Sequence, residues 1–130
     1  MKNTIFEVIK YTYYLSLIVL LILYLFPGSL IGFLLYSDLG KQPDFISNPI
    51  GTSINHMIFF FYLSILGYII CIKDKKLIFS FTFLFCASIF FELLHLIIPN
   101  RAFEFNDLFA NSFGVILAFL IFNLMKKLIN

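Results

Sequence analysis

Apart from Glu7 and Lys10 near the start of the first apolar run, where Lys10 can snorkel to the interface, the ionisable residues inside or beside the apolar stretches of this chain fall into one group. Glu92 and His95 stand three residues apart within a long apolar run, hence on one helical face, and Ser88 shares that face. His56 opens another apolar run, and Asp107 and Asn111 open a third. Arg101 and Glu104 lie in the short connection before that third run. An ionisable side chain at the middle of a membrane helix costs on the order of 2.5–3.5 kcal/mol on insertion scales, so it needs a partner or a task. Glu92, His56 and His95 are candidate acid–base, and therefore candidate catalytic, groups. Arg101 is a candidate anion holder, because a guanidinium presents several fixed donors. Asp107 and Asn111 are candidate binding residues that share a face.

Each also has a structural reading. Asp107 or Asn106 can cap a helix, Asn111 can be interhelical glue, and His56, His95 and Arg101 can sit at lipid head groups. Glu92 resists such a reading most. It lies six residues before Ile98, roughly 9 Å inside the end of its helix. Asp38, Lys41, Asp44 and Glu104 read as solvated loop charges.

These groups must be held by elements fit for a bilayer. The 130 residues are 62% hydrophobic and only 12% charged, with mean hydropathy +1.01. A soluble surface cannot be made from so few charges, since soluble domains carry about 25%. Four runs reach the ~20 residues that a spanning helix needs: about 5–26, 54–72, 77–98 and 108–125. They are continuous, without the alternation of a barrel strand. Pro27-Gly28 ends the first and Pro99 the third. The basic N-terminus followed by an apolar run reads as a retained span, because no small-x-small cleavage site follows. The fold expected is an all-α integral membrane protein, a single domain over 1–130, with about four transmembrane helices in an antiparallel bundle. A short interfacial segment, Ser29–Tyr36, follows the first span.

Lysines orient it. Lys2, Lys10, Lys73, Lys75, Lys76, Lys126 and Lys127 lie on one side, and Lys41 and Arg101 on the other. The excess marks the cytoplasmic side, so both termini are expected there and the polar group near the outer face. The stripes His56-Phe60-Leu63-Gly67 and Asn111-Gly114-Ala118 are expected to face other helices, with Gly114 and Ala118 allowing close approach. Cys71 and Cys86 fall at different depths, so no disulfide is expected. The lysines form no patch, which argues against nucleic acid.

Two stretches, Asn55-His56-Met57-Ile58-Phe59-Phe60 and Glu92-Leu-Leu-His95-Leu-Ile-Ile-Pro99-Asn-Arg101 with Asp107-Leu-Phe-Ala-Asn111-Ser-Phe-Gly114, resemble the VanZ-like family of small bacterial membrane proteins. The family pattern has a His opening one span, a Glu with a Gln three residues on, a Pro-x-Arg turn, and Asp-x-x-x-Asn-x-x-Gly entering the last span. Here His95 replaces the Gln, Thr52 and Ser53 replace an Asp-Lys pair, and Phe60 replaces a Tyr. The resemblance implies a location in the bacterial cytoplasmic (inner) membrane, an envelope context, and a link to low-level teicoplanin-type glycopeptide resistance, with which the founding member is associated.

Two functional readings follow. One is a pocket in the outer leaflet that binds or modifies a lipid or lipid-linked envelope precursor, with the bilayer as its other partner. The alternative is a non-catalytic scaffold whose polar groups are interhelical glue. The sequence leaves open whether the chain is an enzyme. A proton relay is disfavoured because no ionisable residue lies deep in the other half of a span. One Glu-x-x-His motif with one further His is a weak metal signal, so no metal and no cofactor are expected.

Overall fold

The computed structural model describes residues 3–43 and 51–129. It contains five α-helices: α1 (Asn3–Leu25), α2 (Leu30–Tyr36), α3 (Gly51–Cys71), α4 (Phe81–Leu94) and α5 (Phe105–Ile129), with a 3₁₀ turn at Leu77–Phe79 before α4. There is no strand among the described residues. Helices α1, α3 and α5 are each long and apolar enough to cross a membrane. Their outward faces are apolar, as lipid contact requires: Val8, Leu15, Phe109 and Leu124 are all exposed.

The third apolar run departs from the continuous helix expected over 77–98. Ser80 has extended backbone angles, and its hydroxyl accepts from the Phe83 amide at 3.2 Å, so α4 starts there. At the other end the amides of His95, Leu96 and Ile97 each bond three residues back, tightening the chain before Pro99. Asn100 then takes a left-handed conformation (φ 58°). The 14 residues of α4 span about 21 Å at 1.5 Å per residue, short of the ~30 Å apolar layer. Glu92 is therefore in the last turn of α4, and His95 is its cap.

The short apolar segment after α1 forms α2. Ser29 caps it, accepting from the Gly32 amide at 2.9 Å. The following chain folds back on α2, with the Ser29 amide on the Leu39 carbonyl at 2.7 Å. A Cβ at Gly32 would overlap the Lys41 carbonyl, so this fold-back needs glycine. Asp38 and Lys41 stay local: the Asp38 carboxylate accepts from the Gly40 amide, and the Lys41 ammonium lies over the Tyr36 ring. Asp44 lies outside the described residues.

Helix α3 is the centre of the bundle. It packs most extensively on α5 and also meets α1, while α4 packs on α5. Phe60, Leu63 and Gly67 are buried along α3, as are Gly114 and Ala118 along α5. A Cβ at Gly114 would strike the Met57 carbonyl, so the α3–α5 crossing depends on that glycine. At the lysine-rich end the Tyr13 hydroxyl donates to the Ile78 carbonyl at 2.6 Å, and its ring meets Phe79 edge-on. Cys71 and Cys86 are free.

Candidate functional site

At the other end of the bundle, α3, α4 and α5 each contribute polar side chains to a buried layer. Glu92 on α4 is fully buried. Its Oε1 accepts from the Glu104 amide at 3.2 Å and lies 3.3 Å from His95 Nδ1. Its Oε2 accepts from Asn111 Nδ2 at 3.4 Å. All of these neighbours can donate, which suits a carboxylate that only accepts. On α5, Asp107 accepts from the Ser53 hydroxyl at 2.5 Å. Asn111 is fixed from both sides: Nδ2 also reaches the Ser88 carbonyl at 3.5 Å, and Oδ1 accepts from Tyr24 at 2.9 Å.

Tyr24 of α1 joins this layer to the histidines. Its hydroxyl donates to Asn111 and lies 3.0 Å from His56 Nδ1. With the phenolic proton committed to Asn111, the oxygen is left to accept from His56 Nδ1–H. His56 Nδ1 is also 3.8 Å from Asp107 and 4.0 Å from Glu92. The His95 ring stacks on Tyr24, with centroids 5.1 Å apart and planes 16° apart. Thus His56, Glu92, His95, Asp107 and Asn111 meet in one network.

Arg101 is held differently. Its guanidinium donates to the carbonyl of Leu23, in the last turn of α1, and, at 3.3 Å, to that of Phe26 just after it. Those carbonyls are the electronegative end of α1, so they anchor a cation. No carboxylate lies within ion-pair distance of Arg101 among the described residues. The pairing of Glu92 is with His95, not Arg101. Burial draws the guanidinium below its ordinary value, while Tyr24, Glu92 and Asp107 oppose that shift. Burial pushes the Glu104 carboxyl up, and Asp107 and Glu92 push it further.

A cavity of about 550 Å³ lies in front of this layer. Its polar wall includes Tyr24, Asn55, His56, His95 and Arg101, and its apolar wall includes Leu20, Leu23, Leu30 and Phe59. Ile31, Ile58 and Tyr62 also line it and are exposed, so the cavity opens on the apolar flank of the bundle. Glu92, Asp107 and Asn111 do not line it; they stand behind the histidines. One ligand-type atom each from His56, Glu92 and Asp107 lies within 4.8 Å of the others, a spacing compatible with a cation. His56 Nδ1 is, however, engaged by Tyr24 and Glu92 Oε2 by Asn111.

Tyr24 is the member that sequence reasoning missed. Its pattern signal is that of any aromatic near the end of a span. Ser53 and Asn55 carry equally little signal; Asn55 donates to the Pro43 carbonyl at 2.6 Å and ties the loop to α3.

No curated protein and no solved structure matches this chain. A family model described as VanZ/LLP1 matches residues 6–126, which include α3 to α4, the Arg101 turn and the site face of α5. With three helices able to cross a bilayer and this match over nearly its whole length, the chain is a multi-pass membrane protein that belongs to the VanZ/LLP1 family.

Proposed function

We propose that the chain acts at the bacterial cell envelope by binding an anionic lipid or lipid-linked head group in the cavity beside Arg101. One observation carries this reading. A half-buried guanidinium, anchored by helix-end carbonyls and without a carboxylate partner among the described residues, lines a cavity whose remaining wall is largely apolar and open toward lipid. A buried cation is costly unless its charge is met, and an anionic head group with its chain along Leu20, Leu23 and Phe59 meets both walls. With the lysine-rich side in the cytoplasm of the inner membrane, the cavity lies in the outer leaflet. His56, His95 and Glu92 are the acid–base groups that any modification of the head group would use. The family adds the expectation that losing this site changes sensitivity to teicoplanin-type glycopeptides.

The test is lipid retention. Protein extracted from mixed vesicles should carry anionic lipid in excess over phosphatidylcholine, read by native mass spectrometry. Arg101→Gln should lose that excess, and Asp74→Asn, at the other end of the bundle, should keep it. Equal retention by Arg101→Gln and the unmodified chain refutes the reading.

The scaffold alternative is favoured by the closure of the network, in which Glu92, Asn111 and Tyr24 satisfy one another. Glu92→Gln separates the two. A working site predicts normal membrane abundance with a lost envelope phenotype, whereas a scaffold predicts that abundance and phenotype fall together.

A further inference from the structure

The binding reading leaves the chemical class of the head group open, and the two histidines narrow it. Both rings turn the same nitrogen toward the buried layer. His95 Nδ1 faces Glu92 at 3.3 Å, and His56 Nδ1 faces Tyr24 at 3.0 Å with Asp107 and Glu92 close behind. The two Nε2 atoms therefore point away from the carboxylates, because the ring nitrogens of imidazole diverge. His95 is almost fully buried, and its Nε2 has no hydrogen-bond partner. Such an orphan is costly and calls for an explanation. Nothing within the described residues bonds His56 Nε2 either. Both histidines and Arg101 line the same cavity.

Building on the proposed lipid-binding role, we infer that the occupant is a lipid phosphate monoester, its phosphate meeting Nε2 of His56, Nε2 of His95 and the free donors of Arg101. Three polar contacts match the three non-bridging oxygens of a monoester; a diester has two. A monoester also titrates near neutral pH. As a monoanion its P–O–H donates to a bare Nε2, and as a dianion it accepts from Nε2–H. The match is complete when at least one ring carries Nε2–H; with both Nε2 bare, the single proton of the monoanion meets only one of them. A diester has no such proton to give. The apolar wall takes the first part of the chain, and a volume of about 550 Å³ is within the usual range for a site enclosing one small ligand. The histidine at position 95 makes this preference a property of this chain, since the family pattern places an amide there. An amide that donates to Glu92 has no second ring nitrogen to offer.

The experiment uses the full chain in phosphatidylcholine nanodiscs holding equal mole fractions of phosphatidic acid, a monoester, and phosphatidylglycerol, a diester. Lipid retained after extraction is read by native mass spectrometry. The unmodified chain should favour phosphatidic acid by about tenfold, the worth of one charge-assisted hydrogen bond. His95→Gln, and separately His56→Asn, which keeps a nitrogen near the Nδ1 position but removes Nε2, should each reduce that preference to about twofold or less. Arg101→Gln should lower retention of both anionic lipids. Nitrogen-15 spectra of the unmodified chain supply a readout independent of any variant: the Nε2 signals of both histidines should shift on adding phosphatidic acid and not on adding phosphatidylglycerol.

Equal retention of the two anionic lipids, both above phosphatidylcholine, overturns the monoester inference and leaves the anionic-lipid reading standing. Retention of neither overturns both. A full preference surviving in His95→Gln and His56→Asn overturns the role of the histidines. Stripping of phosphatidic acid by millimolar inorganic phosphate shows that the apolar wall adds nothing, and overturns the lipid part.

Discussion

The two ends of the bundle both join helices through charged groups, by opposite means. At the lysine-rich end, Lys10 of α1 pairs with Asp74 at 2.9 Å, and Lys76 approaches the same carboxylate at 3.7 Å. These groups reach solvent, and the packing beneath them is aromatic, with Tyr13, Tyr14 and Phe79 in edge contact. At the Arg101 end the charges are inside. Glu92 and Asn111 are fully buried and Asp107 nearly so. An exposed pair is screened by water and easily replaced. A buried carboxylate is tolerable only while its donors are in place, and every missing one leaves its partner stranded. The first end is thus an adjustable clasp and the second a set of mutual obligations, an arrangement that stability alone would not require.

Glu92→Ala should show the largest difference between the ends. It strands His95 Nδ1 and the Glu104 amide and leaves Asn111 Nδ2 only its long contact to the Ser88 carbonyl, for a loss of about 3–5 kcal/mol. Thermal unfolding in detergent, with membrane abundance in parallel, would measure it; a loss no greater than that of Asp74→Asn would erase the contrast.

Tyr24→Phe comes next. It keeps the ring stack on His95 but removes the hydroxyl shared by Asn111 and His56. Interhelical hydrogen bonds in membranes are modest, so the cost should be about 1 kcal/mol. The same change should loosen the His56 ring, visible as altered ring-nitrogen shifts in its spectrum.

A smaller effect is expected from Glu104→Gln. The folded-state value of Glu104 is raised, so its contribution to stability is intact below the unfolded value and falls as pH rises through the folded one. The glutamine variant should therefore melt about 1 °C higher at pH 7, with the gap closing at pH values below 4.5, the ordinary value of this carboxyl. A gap independent of pH would show that charge is not its cause.

Asp74→Asn should do least. The hydrogen bond from Lys10 lowers the Asp74 value in the folded state. Its contribution is present above the ordinary carboxylate value and disappears as pH falls through the lowered one. Melting curves at neutral pH should differ by about 1 °C or less, and by nothing in strong acid.

Much of this contrast was already written in the chain. Apolar runs of spanning length cannot be soluble, so the helical membrane class followed from Leu, Ile and Phe content alone. The rarity of charge made Glu92, His56, His95 and Asp107 conspicuous. Helical periodicity placed Glu92 with His95 and Asp107 with Asn111, since residues three or four apart share a face whatever the surroundings. It also put Gly114 and Ala118 on the packed side of α5.

Other features arose only from packing between segments far apart in the chain. Lys10 reads in sequence as a lysine snorkelling at the end of the first span, and in the fold it found Asp74, 64 residues away. The third apolar run was expected as one helix, but the Ser80 hydroxyl and the tight turns before Pro99 shorten it to α4. Nothing in the chain said which group Arg101 or Glu92 would meet; the guanidinium turned to the carbonyls at the end of α1, and Glu92 went to His95. Tyr24 drew no notice in sequence, because an aromatic near the end of a span is commonplace; its hydroxyl meets Asn111, 87 residues on, only once α1 has docked. Sequence by itself determined which residues are apolar, which are charged and which share a helical face, because those depend on side-chain chemistry and a fixed rise per residue. The tertiary structure alone decided which buried donor answers which acceptor, and left two histidine nitrogens and a guanidinium beside one cavity, because partner choice depends on how helices pack across long stretches of chain.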